Sequence, residues 1–476
     1  MRYGTELTAS FPFDDAAYWR EVIAVMPFLK DNGTSEKLVY VRYLDQSSIT
    51  HENITIAEHP TLAGWCRATL VLGNFQPDYA SFLKNVLNDG IRIYIKQEIG
   101  VETEINVITS TESQIVFDFP VLRANITNPF QVYIERALIA RVTQNNNYEI
   151  ITDQVDPLVI VSHINFQGKL LIANGVDPVK VYDGNQLLPL KAPVPIPNVT
   201  PIVRNDYNLT FSIPQSYLAT LQADIQVGAR LTLVRQNGYS DLPTIIQDII
   251  YYAPVNDQVV MTIRIDGIVG EEIRKIIYQK LCPSFSYLAV VHKRLWAVAG
   301  GRTYKDKFRS PLLAMRAYYA AKTESIYDWF NSQTNEIDFI NLSNNSSVPD
   351  NLEAITMFEG RTLFLGRETT QVWIGEDPTT HDDGQGIILP DFKWEQTLPV
   401  GVIQQTLFVE VPNNLIFLSK YGIVSLSSVN LFKQLQVSYQ FSTPIDHYIN
   451  SQLSFIETDR DFRSMRAFLY PYGRFL

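Results

Sequence analysis

The stretch LVIVSHINFQGKLLIANGVDPVKVYDG, from Leu158 to Gly184, decides the fold, because it has the pattern of one small antiparallel sheet. It contains three runs of strand length, Leu158–Ser162, Leu170–Ala173 and Val179–Tyr182, each closed by Gly, Asn or Asp-Pro turn residues. A sheet of this size cannot bury its own apolar face. Its neighbours are therefore expected to be sheets of the same kind.

Approximate copies of this pattern begin at Phe285, Asn351 and Thr406. Aligning the copies places four turns in one position: Gln167-Gly168-Lys169, His292-Lys293-Arg294, Glu359-Gly360-Arg361 and Pro412-Asn413-Asn414. The irregular spacing of the copies favours a radial array with insertions, a β-propeller, over a solenoid of fixed period. The competing explanation is that any strand-turn-strand sequence shares this pattern.

Two segments, residues 59–137 and 192–283, have a different pattern, in which a helical period precedes several strands. In the first, the helical period covers Phe75–Asn88. The two segments match at a constant offset of 138 positions, for example Tyr79 with Tyr217, Leu83 with Leu221, Gly90 with Gly228, Arg92 with Arg230 and Ile93 with Leu231. This match predicts an internal duplication of a small α+β module, with chance likeness as the alternative.

The predicted fold class is therefore mainly β: an irregular β-propeller with two inserted, mutually similar α+β modules. Residues 1–58 supply N-terminal propeller strands, 59–137 the first module, 138–191 a blade, 192–283 the second module and 284–476 further blades. The last residues, MRAFLYPYGRFL, have the pattern of the middle of a strand pair. We expect either that Arg2–Ser10 completes this blade or, preferably, that the natural chain continues past Leu476.

Composition and charge limit the possible functions. Of the 476 residues, 46% are hydrophobic and 19% charged, and the formal net charge is -11. A net acidic protein is poorly suited to gripping nucleic acid without sequence preference, although DNA could slide past an acidic wall. No signal peptide and no apolar run of eighteen residues is present in the sequence, which predicts a protein made in a cytoplasm without a membrane span.

Few residues have the spacing of a catalytic or metal site. Cys66 and Cys282 are far apart, and the six His are scattered, so the sequence predicts no disulfide, no metal and no cofactor. The sequence contains no GxSxG, P-loop or GxGxxG pattern, and we expect a protein that is not an enzyme. Carboxylate pairs such as Glu102 with Glu104 could serve glycoside hydrolysis, but exposed charge is the favoured interpretation.

A basic run between Lys293 and Lys322 is the clearest charge feature. Its candidate contacts to DNA or to a neighbouring subunit are Lys293, Arg294, Arg302, Lys305, Lys307 and Arg309. A solvated loop is the competing interpretation.

Several segments together resemble the tail nozzle proteins, also called tail tubular protein B, of short-tailed, podovirus-like bacteriophages. These segments are Arg2-Tyr3-Gly4-Thr5, IAVMPF (23–28), GKLLIANGVDPVKVYDG (168–184), HKRLWAVAGG (292–301), EGRTLFLGRETTQVWIGEDP (359–378) and NNLIFLSKYGIVSLSS (413–428). The resemblance covers about half the chain and rests on the style and order of segments. Gly300–Pro311 departs from the family pattern, because the basic RTYKDKFRSP stands where a short crossover is expected.

The resemblance implies a structural virion protein of a phage tail, made in the bacterial host cytoplasm. Six copies would form a homohexameric nozzle ring below the portal and adaptor, continue the DNA channel, retain the packaged genome and open for ejection. The implied partners are other copies of the chain, the tail adaptor protein, tail fibre proteins and double-stranded DNA in the lumen. The alternative is a carbohydrate-binding or carbohydrate-active propeller, in which Trp296, Trp329, Trp373 and Trp394 would stack on sugars rather than fill the core.

Overall fold

The structure is a computed structural model that describes most of the chain. It covers residues 17–30, 33–50, 52–77, 80, 83, 93–97, 103–111, 113–119, 130–143, 148–157, 159–196, 203–205, 207–235, 242–254, 256–266, 273–299, 314–331, 334, 336–346, 348–379, 381–382, 387–388, 390–429 and 434–438. The fold is mainly β and is built from several antiparallel sheets. In these ranges, no helix combines the length and the apolar character needed to cross a membrane.

A long hairpin opens the described chain and begins what we call the first sheet. The strands of this sheet are β1 (Ala17–Leu29), β2 (Ser35–Thr50), β8 (Phe130–Val142) and β9 (Tyr148–Val155), paired in that order. In the sequence, the turn residues Asp31–Ser35 stand between an apolar run from Val22 and an alternating run from Lys37, a pattern that predicts a hairpin. The structure confirms this hairpin, since Val22 and Val41 are partners across β1 and β2.

Four further sheets have four strands each, paired in the order given. The second sheet contains β10 (Ser162–Phe166), β11 (Lys169–Ala173), β12 (Lys180–Tyr182) and β13 (Leu187–Pro189). The third contains β21 (Phe285–Val291), β22 (Arg294–Ala299), β23 (Arg316–Tyr319) and β24 (Phe339–Asn341). The fourth contains β25 (Leu352–Phe358), β26 (Arg361–Gly366), β27 (Thr370–Ile374) and β30 (Lys393–Leu398), with a small hairpin of β28 (His381–Asp382) and β29 (Ile387–Ile388) before its last strand. The fifth contains β31 (Phe408–Val411), β32 (Asn414–Ser419), β33 (Gly422–Val429) and β34 (Gln434–Ser438).

The four turns aligned in the sequence occupy equivalent places in these sheets, as predicted. Each is a two-residue loop between the first and second strands, closed by the pairs Phe166–Lys169, Val291–Arg294, Phe358–Arg361 and Val411–Asn414. Gln167, His292 and Glu359 have φ values of 50°, 48° and 49°, and Asn413 has 63°. Such left-handed residues match the twist of a tight hairpin.

The predicted first strand of the second sheet is wrong. The sequence placed it at Leu158–Ser162, whereas the strand is Ser162–Phe166. The two-residue turn at Gln167 fixes the pairing of Phe166 with Lys169, so the strand must end directly before the turn. Val159 and Val161 are apolar for another reason, because they are buried in the core between the first and second sheets.

The strands of each α+β module pair with one another in antiparallel order. The first module contains β3 (Ile54–Glu58), β4 (Cys66–Val71), a 3-10 turn (Leu72–Asn74), β5 (Ile93–Gln97), β6 (Thr103–Ser110) and β7 (Gln114–Phe119), and it continues into β8. The second contains β14 (Lys191–Pro195), β15 (Val203–Asn205), β16 (Asn208–Pro214), α1 (Gln215–Asp224), β17 (Arg230–Arg235), β18 (Leu242–Tyr251), β19 (Gln258–Ile265) and β20 (Ile273–Leu281).

The two modules share one topology. The strand order is β8-β5-β6-β7-β4-β3 in the first and β20-β17-β18-β19-β16-β15 in the second. The pairs Leu70–Ile115 and Ala68–Phe117 of the first module correspond to Ile213–Val259 and Phe211–Met261 of the second. The sequence offset differs between these strands and the helices, because the intervening loops differ in length.

Both modules attach at the same end of the array. The chain enters the first module where β2 ends and returns where β8 begins, and it enters the second after β13 and returns before β21. Because neighbouring strands are antiparallel, these connections lie at the end opposite the two-residue turns. The two ends of the molecule therefore differ, with the short turns at one end and the two modules at the other.

Leu83 and Leu221 hold equivalent core positions in the two modules. Both lie in helical segments and are 0% exposed, although most of the first predicted helix lies outside the described residues. We expect Leu83→Ala and Leu221→Ala each to lower the free energy of unfolding by about 3 kcal/mol, because each leaves a cavity in an apolar core. Urea denaturation measures both losses. A loss at only one of the two sites would contradict their equivalence.

The core lies between successive sheets. Alternating residues of each middle sheet point to different neighbours, so Leu170 and Ile172 pack towards the first sheet whereas Leu171 and Ala173 pack towards the third. The third and fourth sheets meet at a ring cluster of Trp296, Tyr319, Phe364, Trp373 and Phe392. The fourth and fifth meet through Leu363, Leu365, Leu415 and Phe417. The five sheets are therefore stacked face to face in chain order.

Candidate functional site

The first strands of the second to fifth sheets surround one cavity, which we call the axial cavity. Its volume is about 340 Å³. His163, Leu288, Ile355 and Phe408 lie on these four strands, each the same number of residues before its turn, and all four line the cavity. Equivalent parts of four sheets thus converge at one place.

Polar side chains join these first strands to one another. The backbone N–H of Leu288 donates to Ser162 Oγ at 3.0 Å, and Gln405 Nε2 donates to the carbonyl oxygen of Ser286 at 2.8 Å. On the other side of the second sheet, Asn165 Nδ2 donates to the carbonyl oxygen of Pro27 at 2.7 Å. Each of these bonds joins a side chain of one sheet to the backbone of another sheet, so together they hold the sheets close to one another.

Tyr287 is the central aromatic residue of the cavity wall. Its ring centroid lies 6.4 Å from that of Phe408 on the fifth sheet. Burial alone raises the pKa of the Tyr287 phenol well above its usual value, because the phenolate would lose its hydration. The hydroxyl therefore stays protonated at neutral pH and can donate a hydrogen bond.

The chemistry of the cavity wall is that of hydrogen bonding without fixed charge. Among the residues that the structure describes, those lining the cavity carry hydroxyl groups, one side-chain amide (Gln405) and one imidazole (His163), but no carboxylate, lysine or arginine. The remaining lining residues are mainly apolar, among them Ile164, Val290 and Met357. This mixture suits the binding of a neutral molecule.

The first two residues of the basic run, Lys293 and Arg294, have opposite environments in the structure. Arg294 is 3% exposed, and its guanidinium donates to the carbonyl oxygens of Ala320 (2.7 Å) and Ala321 (3.0 Å) and to Asp377 Oδ1 (3.0 Å). Its guanidinium therefore joins the third sheet to the segment that follows β27. Lys293, in contrast, is exposed in the turn, where it forms an ion pair of 2.9 Å with Glu324.

The other candidates of the basic run, Arg302, Lys305, Lys307 and Arg309, lie outside the described residues. Their contact to DNA or a subunit stays a prediction. No sequence pattern connects Arg294 with Asp377, which lies 83 positions later. The general rule that a buried arginine needs a hydrogen-bond acceptor applies to Arg294, but it does not identify Asp377 as that acceptor.

The tryptophans divide into buried and exposed residues. Trp296, Trp329 and Trp373 are 1%, 0% and 9% exposed and lie in the cores between sheets. Trp394, on the last strand of the fourth sheet, is 46% exposed. The three buried rings fill the core and do not offer a face to a sugar.

A histidine–aspartate pair in the first module resembles a catalytic dyad but has a structural arrangement. His59 Nε2 lies 2.8 Å from Asp118 Oδ2, while His59 Nδ1 accepts the backbone N–H groups of Thr61 (3.1 Å) and Leu62 (2.9 Å). The Nδ1 lone pair is therefore occupied and cannot take a proton from a nucleophile. Arg67 completes the cluster with two hydrogen bonds to the Asp118 carboxylate, at 2.8 and 2.9 Å. The cluster fixes the loop between β3 and β4.

The Asp118 cluster predicts a pH dependence of stability. The hydrogen bonds from Arg67, followed by those from His59, hold the pKa of Asp118 below its usual value. Because the pKa is lower in the folded state, the ionised carboxylate stabilises the fold above about pH 4, and this contribution is lost as the pH falls through the folded-state pKa. The stability difference between the wild type and Asp118→Asn should therefore be largest near pH 7 and shrink below about pH 4. Urea denaturation across this range tests it; a constant difference would show that ionisation of Asp118 is not involved.

In the ranges that the structure covers, His, Cys, Asp and Glu form no group of three or more that could hold a metal ion. Cys66 and Cys282 are both buried as free thiols. Burial raises the pKa of Cys282. No known family model matches the chain, and no curated protein matches it.

Proposed function

We propose that this chain is a structural protein of a short bacteriophage tail, in which a ring of copies forms the nozzle that retains and then releases the packaged DNA. The observation that carries the proposal is the succession of five packed antiparallel sheets, in which the first strands of the second to fifth converge on a narrow cavity. Such a scaffold agrees with the sequence resemblance to tail nozzle proteins. The virion location, host synthesis and tail partners follow from that resemblance and are part of the proposal.

The five sheets are proposed to be blades of an irregular propeller. In a propeller, each blade packs one face on the blade before it and the other face on the blade after it, with its first strand nearest the axis. The alternating core residues and the shared axial cavity agree with this arrangement. The common topology of the two modules supports their origin by duplication.

The DNA lumen is proposed to lie between copies of the chain, since a duplex cannot fit along the axis of one propeller. The major groove of DNA alone is about 12 Å wide. The axial cavity, in contrast, has a volume of only about 340 Å³. A channel for DNA thus requires a ring, and a closed ring of identical chains requires unlike surfaces to meet.

The two modules supply large surfaces for such contacts, because both extend from the same end of the sheet stack. The short turns at the other end leave room for a second partner. In the nozzle interpretation, one end faces the adaptor and the other faces the tail tip.

Electron microscopy of the purified protein tests the proposal. The full chain is imaged by negative stain alone, with portal particles that carry the adaptor, and with portal particles that lack it. We expect sixfold rings, or added density at the tail end of the adaptor-bearing particles only. A monomer that binds neither kind of particle would rule the nozzle function out.

A further inference from the structure

We propose that the axial cavity binds one neutral, polyhydroxylated ring of the size of a single sugar residue. This inference is independent of the nozzle function, since it depends on the cavity wall and not on a ring of subunits.

Two hydroxyl groups in the cavity wall are available to a ligand. Tyr287 and Thr356 both line the cavity, and neither side chain has a hydrogen-bond partner in the part of the chain that the structure describes. A hydroxyl group that leaves water without gaining a partner costs free energy. Neither hydroxyl is among the buried polar atoms that lack a partner, so water reaches both in the unliganded protein. A ligand that displaces this water must therefore offer hydrogen-bond acceptors and donors at this place.

The cavity wall selects for a neutral ligand. No Asp, Glu, Lys or Arg is among the described residues that line the cavity. A charged ligand would therefore lose its hydration without gaining an opposite charge. The wall also presents the rings of Tyr287 and Phe408, together with the aliphatic side chains of Ile164 and Val290. A sugar ring has apolar C–H faces and a hydroxylated edge, and it can use both parts of this wall.

The size and access of the cavity fit one such ring. Its volume of about 340 Å³ is near the lower end of the range of ligand pockets, about 300–1,000 Å³. The cavity is open to solvent, and its lining residue Met357 is 43% exposed. A ligand can therefore enter without unfolding of the sheets.

Binding would stabilise four sheets together, because they all contribute to the wall. A ligand that binds only the folded state raises the unfolding temperature in proportion to the logarithm of its concentration. This gives a second measurement that does not depend on any enzymatic activity.

The test uses the full chain with glucose, galactose and N-acetylglucosamine as probes, followed by saturation-transfer NMR and thermal unfolding. We expect at least one of these sugars to bind and to raise the unfolding temperature. Tyr287→Phe and Thr356→Val keep the shape of the wall and remove one hydroxyl each. Each should weaken binding about tenfold, as expected for the loss of one buried hydrogen bond.

Tyr421→Phe is the matched control, because Tyr421 is an exposed tyrosine in a turn of the fifth sheet, away from the cavity wall. It should bind the sugar as the wild type does. Disaccharides of the bound sugar distinguish a free monosaccharide from the end of a glycan chain, since only the latter also binds when extended. Absence of binding by all three sugars, or equal binding by wild type and Tyr287→Phe, would overturn the proposal and leave a cavity that holds water only.

Discussion

Replacing Asp350 by alanine is expected to lower the free energy of unfolding by about 5 kcal/mol, the largest loss that we predict for a single residue. Asp350 is 8% exposed and lies just before β25. Its Oδ1 accepts the backbone N–H groups of Asn351 (2.7 Å), Arg367 (2.8 Å) and Glu368 (3.0 Å). Its Oδ2 accepts both the N–H (2.9 Å) and the hydroxyl (2.7 Å) of Thr369. Alanine would leave five donors without an acceptor in a poorly hydrated site.

The tight packing around this carboxylate makes repair by rearrangement costly. A Cβ atom added to Gly366 would overlap Asp350 Oδ2, and one added to Gly401 would overlap the carbonyl oxygen of Gly366. The backbone is therefore packed directly around the carboxylate and has little room to move. The loop that Asp350 holds also carries Glu368, which pairs with Lys420 of the fifth sheet. Loss of Asp350 should thus loosen the contact between the fourth and fifth sheets.

Asp391→Ala is the matched control for Asp350→Ala. Among the residues that the structure describes, two backbone N–H groups donate to the Asp391 carboxylate, those of Glu376 (3.1 Å) and Asp377 (2.8 Å), at an exposed position. Water can replace it there, so we expect a loss of about 1 kcal/mol. Both variants are compared by urea denaturation at pH 7. Similar losses for the two variants would refute the special role of the buried carboxylate.

The features that the sequence predicted well are those determined by neighbours in the chain. Each two-residue turn needs residues that tolerate positive φ, and the alternation on either side sets the strand faces. For this reason, the turns at Gln167, Glu359 and Asn413 lie where the sequence alone predicts them. The strand at Ser162 was misplaced because an apolar run is equally typical of a buried connection.

The features that the sequence could not predict depend on residues brought together by the fold. The hydrogen bonds between Asp350 and Thr369 join residues 19 positions apart in the sequence, and the hydrogen bond between Gln405 and Ser286 joins residues 119 positions apart. Neither pair has a local signature, since glutamine, aspartate and threonine are common in exposed loops. Likewise, the axial cavity exists only because four sheets converge. Its hydroxyl groups include those of Tyr287 and Thr356, which lie on strands of two different sheets.

The second large effect is expected at Arg294, and it concerns two adjacent residues with opposite environments. Arg294→Ala should lower the free energy of unfolding by about 4 kcal/mol, because it removes a buried cation whose hydrogen bonds satisfy two carbonyl oxygens and Asp377. Lys293→Gln should change it by less than about 0.5 kcal/mol, since the Lys293 side chain is 77% exposed and its ion pair with Glu324 is hydrated.

The pair of variants also separates a structural role from a role in binding DNA or another subunit. If Arg294 serves only the fold, the Arg294→Ala protein should assemble as the wild type does at low temperature, where it remains folded. The urea concentration at the midpoint of its unfolding transition should be lower than that of the wild type. The more conservative Arg294→Lys should recover only part of the loss, because one ammonium group cannot reproduce the planar guanidinium that reaches Ala320, Ala321 and Asp377 together. A folded Arg294→Ala protein of wild-type stability that fails to assemble would instead assign this residue to an intermolecular contact, contrary to the buried position in which the structure places it.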